Sequence, residues 1–453
     1  MAVVGPRPAL WNQYDLIAKR DQYGANDVRP GLTGWAQIHG RDELEISQKA
    51  ELDGYYVKHM GFLMDLQCIF FTLNMVLRGK SMVEGGIDAV RTERKIMMIT
   101  NHSYMLYQFR KELITELMRE NEVVLSMPFV GREDEFRRMG VRCIETRVDR
   151  RGMNPKTDFY LIKTYFRILR EERPDFVITY SIKPNIYAGL VCTRLGIPFC
   201  ANVQGLGTSF QEPKLIWIVT FLYKAAFRKV KMVFFENEDN AKEFRSRRML
   251  PKDKITVLRG AGVNLEHYAF QKYPEHHPVH FLYVGRIMKE KGMDELFDAV
   301  RRLRAEGKEF LLDLVGFFEG EYREQVQLLQ EEGIAVFHKF QEDPRPYYAA
   351  ADCVVMPSYH EGMSNVLLEA AAVGRAVITT DIPGCREAVE HGKTGLLCEV
   401  KSTSSLYHAM KCFLDLPAER RAAMGEAGRQ KMEKEFRKEW VVADTLRAFE
   451  RIR

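Results

Sequence analysis

Glu361 and Glu369 are carboxylates eight residues apart in a run from His360 to Gly374, with the polar pair Ser364 and Asn365 between them. Upstream, Gly285, Arg286 and Lys291 form a Gly-Arg-x-x-x-x-Lys run. Eight residues of helix span roughly 12 Å at about 1.5 Å per residue, too far for both carboxylates to grip one atom. That separation suits the two ends of a nucleotide sugar, with a hexose at one end and a ribose at the other. Ser364 and Asn365 are expected to open the helix, whose free N–H groups favour a diphosphate. Arg286 and Lys291 would add positive charge to the same anion. These residue types in this order point to transfer of sugar from a nucleotide.

Those residues need elements to place them, and the chain is long enough to supply them. At 453 residues it has room for about three domains of ordinary size. Hydrophobic residues make up 46% and charged residues 28%, a globular composition with ample core material. A formal net charge of +5 is too small for this length to argue nucleic-acid binding. The cysteines at 68, 143, 192, 200, 353, 385, 398 and 412 form no C-x-x-C pair. That favours reduced thiols in a cytoplasmic protein over a disulfide framework or a zinc site. The N-terminus shows no basic-then-apolar leader pattern, and the longest apolar run, Leu215 to Tyr223, is too short to span a bilayer.

Alternating strand and helix signals begin at Lys95 and restart at Phe281. Strands are expected at Lys95 to Thr100, Val123 to Ser126, Val141 to Glu145 and Phe176 to Tyr180, with helices at Gln108 to Glu120 and Phe159 to Glu172. The second series runs through Phe281 to Val284, a helix over Met293 to Glu306, Phe310 to Val315, Ala335 to Phe337, Cys353 to Met356 and Ala376 to Thr380. Two such series imply an α/β fold with two doubly wound, Rossmann-like parallel-sheet domains. Ligands in such sheets bind beyond the carboxyl ends of the strands. The polar stretch from Arg78 to Arg94 reads as a linker, and Gln271 to Pro278, with two prolines, as a hinge. Boundaries are expected at 1–85, 86–94, 95–272, 273–430 and a closing helix at 431–453.

With these residues in view, the chain from 95 to 453 resembles the family 4 glycosyltransferases, which are retaining and have the two-domain GT-B arrangement. The motifs are Val284-Gly285-Arg286 with Lys291, Glu361-x7-Glu369, and Asp381-Ile382-Pro383-Gly384 with Glu387. Within that family, Thr179 to Asn185 and Val203 to Phe210 look like the enzymes that extend sugars on undecaprenyl diphosphate. Residues 1–85 resemble the C-terminal part of the bacterial sugar transferases, the polyprenyl-phosphate phosphoglycosyl transferases. The matching runs are Val4 to Pro8, Arg29 to Arg41, Asp53 with Tyr55 and Tyr56, and Asp65. That family carries its membrane-inserted helix and catalytic Asp-Glu pair upstream of the Gly-Pro-Arg-Pro run, and Asp42-Glu43 lies on the wrong side of it. The expectation is therefore a truncated first domain that cannot transfer phosphosugar alone.

The resemblance implies roles. Glu369 would accept from ribose hydroxyls, and Glu361 would hold donor-sugar hydroxyls and positive character at the anomeric carbon. Arg286 and Lys291 would neutralise the leaving diphosphate beside Gly285 and the backbone of Ser364 and Asn365. No metal and no other cofactor is implied. The donor is expected to be UDP-linked, moving a hexose or N-acetylhexosamine to a polyprenyl-diphosphate-linked sugar in surface polysaccharide or glycan assembly. On the acceptor side the candidates are His102 and Lys183, each just past a strand, and Gly205 and Gly207, where backbone could approach a ligand. His276, His277 and His280 have metal-like spacing but no carboxylate or thiolate company in sequence. Glu133-Asp134-Glu135 reads as a solvated helix face.

Leu215 to Tyr223, followed by Lys224, Arg228, Lys229 and Lys231, suits either an anionic membrane interface or a buried helix with a basic solvent side. Phe62 to Leu77 is a second apolar stretch of interfacial type. A lipid-linked acceptor would require peripheral attachment to the inner face of the cell membrane. The rival readings are a bifunctional protein that also transfers phosphosugar, a sugar-nucleotide epimerase on the same fold, and a non-catalytic binding module.

Overall fold

The computed structural model describes residues 2–6, 8, 14–39, 46–77, 94–149, 154–207, 210 and 212–452. The chain divides into two compact units, Met1–Thr92 and Glu93–Arg453. The expected linker core at 78–93 and the Asp42-Glu43 pair lie outside the described residues.

In the first unit, β1 (Ala2–Val4), α1 (Tyr14–Asp21), β2 (Gly31–Thr33), α2 (Trp35–Ile38), α3 (Ile46–Lys58) and α4 (Phe62–Leu77) follow in order. β1 and β2 pair in parallel. The strings that carry the family resemblance have structural partners here. Asp53 forms a buried ion pair with Arg20, and the Tyr56 hydroxyl donates to Asp65 at 2.7 Å. Val4, Tyr56, Met64 and Cys68 make its small core.

The second unit opens with β3 (Arg94–Ile99), α5 (Ser103–Leu117), β4 (Asn121–Met127), α6 (Glu133–Arg138), β5 (Arg142–Glu145), α7 (Pro155–Glu172) and β6 (Phe176–Tyr180). A π-turn over Pro184–Ala188 leads into α8 (Gly189–Leu195), β7 (Phe199–Val203), α9 (Pro213–Ala226), β8 (Met232–Phe235), α10 (Glu238–Ser246) and β9 (Ile255–Val257). These strands form one parallel sheet in the order β5-β4-β3-β6-β7-β8-β9.

The series restarts with β10 (Val279–Ile287), α11 (Met293–Ala305), β11 (Phe310–Phe318), α12 (Arg323–Glu331), β12 (Ala335–Phe337) and α13 (Arg345–Ala350). It continues with β13 (Cys353–Met356), α14 (Asn365–Val373), β14 (Ala376–Thr380), β15 (Gly395–Cys398), α15 (Thr403–Asp415), α16 (Ala418–Glu435) and α17 (Lys438–Glu450). The second sheet runs β12-β11-β10-β13-β14-β15. Helices cover both faces, so β7, β8, β13 and β14 are buried at every position, and their sequences read as unbroken rather than alternating runs.

Strand order reverses between β3 and β6 in one sheet and between β10 and β13 in the other, and such switch points open a crevice at the carboxyl ends of the strands. The loops after β3, β6, β10 and β13 hold His102, Lys183, Lys291 and Glu361 respectively. Gly285 and Arg286 sit at the end of β10, Asn365 and Glu369 on α14, and Gly205 and Gly207 after β7.

Two expectations change. The segment Gln271 to Pro278 is tethered to the second domain rather than free to hinge. Arg375 is fully buried and donates to the carbonyls of Gln271, Lys272, Tyr348 and Ala349 at 2.8–3.0 Å. Five guanidinium protons suit several carbonyls at once, and the seam is pinned to α13 and β14 as a result. The expected boundary at 430/431 falls inside α16, which runs unbroken to Glu435. The chain then crosses back: Val441, Ala448 and Phe449 of α17 pack into the core of the first sheet with Leu113 and Phe234.

Candidate functional site

Lys291 ends a short turn, and Gly292 after it has φ +74°, with a Cβ there falling 2.1 Å from the Pro357 carbonyl oxygen. Only glycine permits that approach, and it presses the loop after β10 against the loop after β13. Lys291 and Glu361 consequently form an ion pair, each side chain 14% exposed. Arg286 lies at the end of β10 and donates to Glu319 at 2.6 Å, with 39% of its side chain open. Gly285 and Gly316 sit opposite each other on β10 and β11, where a Cβ on Gly316 would meet the Gly285 carbonyl oxygen at 1.8 Å. Gly316 thus lets the two strands close at the crevice mouth.

The helix between the carboxylates is shorter than the spacing suggested. α14 starts at Asn365, so 361–364 is loop. Ser364 does not present its polar groups to a ligand. Its hydroxyl turns to the Met356 sulfur at 2.9 Å, and its N–H donates to the Gly384 carbonyl at 2.8 Å. Loop packing has claimed both, leaving Asn365 and the next N–H groups as the open end of the helix.

Glu369 is 7% exposed, not a solvated helix residue. It accepts from the Tyr348 hydroxyl at 2.8 Å and from Tyr268. Burial pushes its carboxyl up to about 7, against the pull of the two tyrosine bonds. With Asn365 it lines a cavity of about 290 Å³ between the two domains, whose walls include Gln108, Asn264, Arg345 and Lys438. Burial pulls the Lys438 ammonium down to about 8. A shallow depression beside Arg167, Arg170 and Arg173, at the far end of α7, contains none of the candidate residues.

On the first domain, His102 caps α5, its Nδ1 accepting from the Met105 N–H at 3.4 Å. The Ser181 hydroxyl donates to Asn101 at 2.8 Å, joining the loops after β3 and β6. Lys183 is not an exposed lysine: its ammonium pairs with Asp158 at 2.7 Å and its side chain is 13% exposed. Gly205 faces the other domain, with a Cβ there 3.7 Å from the Gly362 nitrogen. Gly207 has φ +68° and abuts Ile182; Thr208 and Ser209 beyond it lie outside the described residues.

The remaining clusters resolve into local bonding. His280 and His338 both bond Asp313, at 2.9 and 2.7 Å, and His276 bonds the Ala350 carbonyl. Glu133-Asp134-Glu135 opens α6, with Asp134 and Glu135 paired to Arg137 and Arg132. All eight cysteines are free. Among the described residues no helix is long and apolar enough to cross a membrane.

Sequence reasoning missed Tyr268, Tyr348 and Lys438 around Glu369, and Arg110, Glu236 and Asn237 on the facing domain. Asn237 alone had a local signal, since Asn before Glu238-Asp239 reads as a helix cap.

Comparisons with known proteins agree with this architecture. The description "Glycosyltransferase Family 4" matches residues 109–267, "Glycosyl transferases group 1" matches 267–431, and "Bacterial sugar transferase" matches 1–79. The chain is 26% identical over 344 residues to the N,N'-diacetylbacillosaminyl-diphospho-undecaprenol alpha-1,3-N-acetylgalactosaminyltransferase of Campylobacter jejuni, spanning 71% of this chain and 89% of that protein. It is 40% identical over 77 residues to the uncharacterized sugar transferase EpsL of Bacillus subtilis, spanning 17% of this chain and 38% of that protein. The crystal structure of Anabaena Alr3699/HepE in complex with UDP and glucose superposes with a TM-score of 0.65 at 14% identity, covering 79% of this chain and all of that one. Its two sheets, its crevice and these matches place the chain among the GT-B glycosyltransferases of the group 1 and family 4 type, with a bacterial sugar transferase segment at residues 1–79.

Proposed function

We propose that the protein moves a hexose or N-acetylhexosamine, with retention, from a UDP-sugar to an undecaprenyl-diphosphate-linked saccharide in surface polysaccharide or glycan biosynthesis. The observation that carries the reading is the pairing of Lys291 with Glu361 at one end of α14 while Glu369 is buried with two tyrosines one turn inside it. The name of the Campylobacter jejuni relative, with its lipid-diphosphate acceptor, and the UDP and glucose of the Anabaena complex support it.

In this reading the ribose hydroxyls donate to Glu369 and the diphosphate lies over the N-terminus of α14 at Asn365. Lys291 turns from Glu361 to the diphosphate, and Arg286 adds a second cation. Glu361, released, takes the donor-sugar hydroxyls and faces the positive character that develops at the anomeric carbon. The ion pair thus holds two buried charges in place until the donor replaces each partner. The cations and the helix end would stabilise the leaving group without a metal, each such preorganised donor being worth about 3–4 kcal/mol. His102, Lys183, Gly205 and Gly207 border the acceptor side.

Attachment to an anionic bilayer belongs to the same proposal. α9 buries Val219, Tyr223 and Ala226 in the core of the first sheet while exposing Trp217, Ile218 and Phe221. One helix therefore presents a buried apolar face and an opposite exposed one. Phe159 and Tyr160 on α7 are exposed too, and Lys156, Lys163, Lys224, Arg228, Lys229 and Lys231 are solvent-facing on or next to these helices. In the first unit, α4 exposes Phe62, Leu63, Leu66 and Phe70.

The direct test is nucleotide release from UDP- and GDP-sugars with and without polyprenyl-diphosphate-linked monosaccharides. UDP release that requires the lipid-linked sugar is expected, and Lys291→Ala or Glu369→Ala should lower it about a hundredfold in folded protein. UDP-sugar consumed without acceptor, or near-normal rates in both variants, would refute the assignment.

A carboxyl near 7 accepts ribose hydroxyls best once ionised. UDP affinity should therefore rise, by up to about tenfold, as pH climbs from about 6 to about 8, and Glu369→Gln should remove that rise. A slope that survives in Glu369→Gln would assign the dependence elsewhere. For the membrane face, co-sedimentation with vesicles holding about 30% anionic lipid should fall several-fold in a Trp217→Ser, Phe221→Ser double variant. Undiminished binding would remove α9 from the interface.

A further inference from the structure

The loop that carries Glu361 is held from the opposite domain. Asn237, just past β8 at the carboxyl edge of the first sheet, donates its side-chain amide to the Gly362 carbonyl at 2.6 Å. Its neighbour Glu236 accepts from the Met363 N–H and is itself fixed by Arg110 at 2.9 Å. All three of these first-domain side chains are buried. Gly362 lies so close that a Cβ on it would fall 1.2 Å from the Gln204 carbonyl oxygen and 2.9 Å from the Glu236 carboxylate. On the far side, a Cβ on Gly384 would meet the Gly362 carbonyl oxygen at 2.4 Å.

The chemistry of this contact exceeds what either domain needs to fold. A buried ion pair costs desolvation that apolar residues would avoid, and Arg110 with Glu236 bears that cost at the very surface that meets the other domain. Asn237 divides its side chain. Its Oδ1 caps α10 by accepting from Asn240 at 2.8 Å, a local task that aspartate performs equally well. Its amide has no such local task and reaches across to Gly362. The Gly362–Met363 peptide thus has its carbonyl and its following N–H both satisfied by the first domain, and both are lost if the domains part.

We propose that Glu236 and Asn237 are positioning residues that grip the Gly362–Met363 peptide and set Glu361 for the donor only when the two domains are closed. The donor-binding groups Glu369, Asn365 and Lys291 all belong to the second domain, so nucleotide can bind the open form. Glu361 becomes correctly placed when the acceptor-side domain arrives, which ties sugar transfer to a closed crevice and protects the donor from water until then. This rests on the role given above to Glu361.

Asn237→Asp tests it, because the cap of α10 is kept while the amide donor becomes a carboxylate oxygen facing a carbonyl. Three readouts are taken on the full chain: UDP affinity, turnover, and amide hydrogen exchange over residues 361–364 with UDP present. The variant should bind UDP as the parent does, exchange faster across 361–364, and turn over about tenfold more slowly. Gly362→Ala, whose methyl cannot fit against Gln204, should show the same faster exchange in a folded protein. Parent-like exchange in both variants would overturn the proposal whatever the activity. Parent-like turnover in Asn237→Asp would overturn it too, provided Lys291→Ala is inactive in the same assay; if Lys291→Ala is also active, the fault lies with the site itself.

Discussion

Lys291 and Glu361 are opposite charges on neighbouring loops, almost closed to solvent, and the rest of the crevice is arranged around them. Their meeting requires the loops after β10 and β13 to touch, which Gly292 permits by adopting a backbone that a side chain would block at Pro357. Two charges withdrawn from water are stable only while each has its partner. In the proposed function, an incoming nucleotide sugar would replace both partners, with an anion for the lysine and hydroxyls for the carboxylate. In the proposed reading the pair is then a resting state of the site as well as a structural contact.

Around that pair the two domains are joined more tightly than a simple hinge would be. Arg375 nails the Gln271–Lys272 seam to the second domain, and the Val263–Arg437 bridge brings the two crossings of the chain together. α17 leaves the second domain and packs on the first, so any opening must bend both crossings at once. The left-handed glycines at 260 and 262 lie at the first crossing, ahead of the pinned seam. Motion there would part Asn237 from Gly362 while leaving each sheet and its helices intact.

Much of this was legible in the chain. The strands at 176–180, 335–337, 353–356 and 376–380 carry their ends in sequence because short apolar runs between turn residues have little alternative in a covered sheet. The two β-α series could likewise be read from pattern, and the GT-B arrangement followed from the family resemblance of the motifs. What spacing could not give was partnership across the fold. Tyr268 and Tyr348 bury Glu369 from about a hundred and about twenty residues away, and no local pattern marks them for that task. Ser364 looked like a free helix start, yet Gly384 and Met356 take its polar groups. No local pattern pointed to the pairing of Lys183 with Asp158 on a different helix. β7, β8, β9 and β15 were not read from the sequence.

The account stands on donor geometry, so the decisive measurement is the structure of the protein with UDP bound. The ribose hydroxyls should lie on Glu369, the diphosphate should face the Asn365 N–H, and Lys291 should have left Glu361 for it. A nucleotide bound elsewhere, or bound in the crevice with the Lys291–Glu361 pair unbroken, would contradict the account.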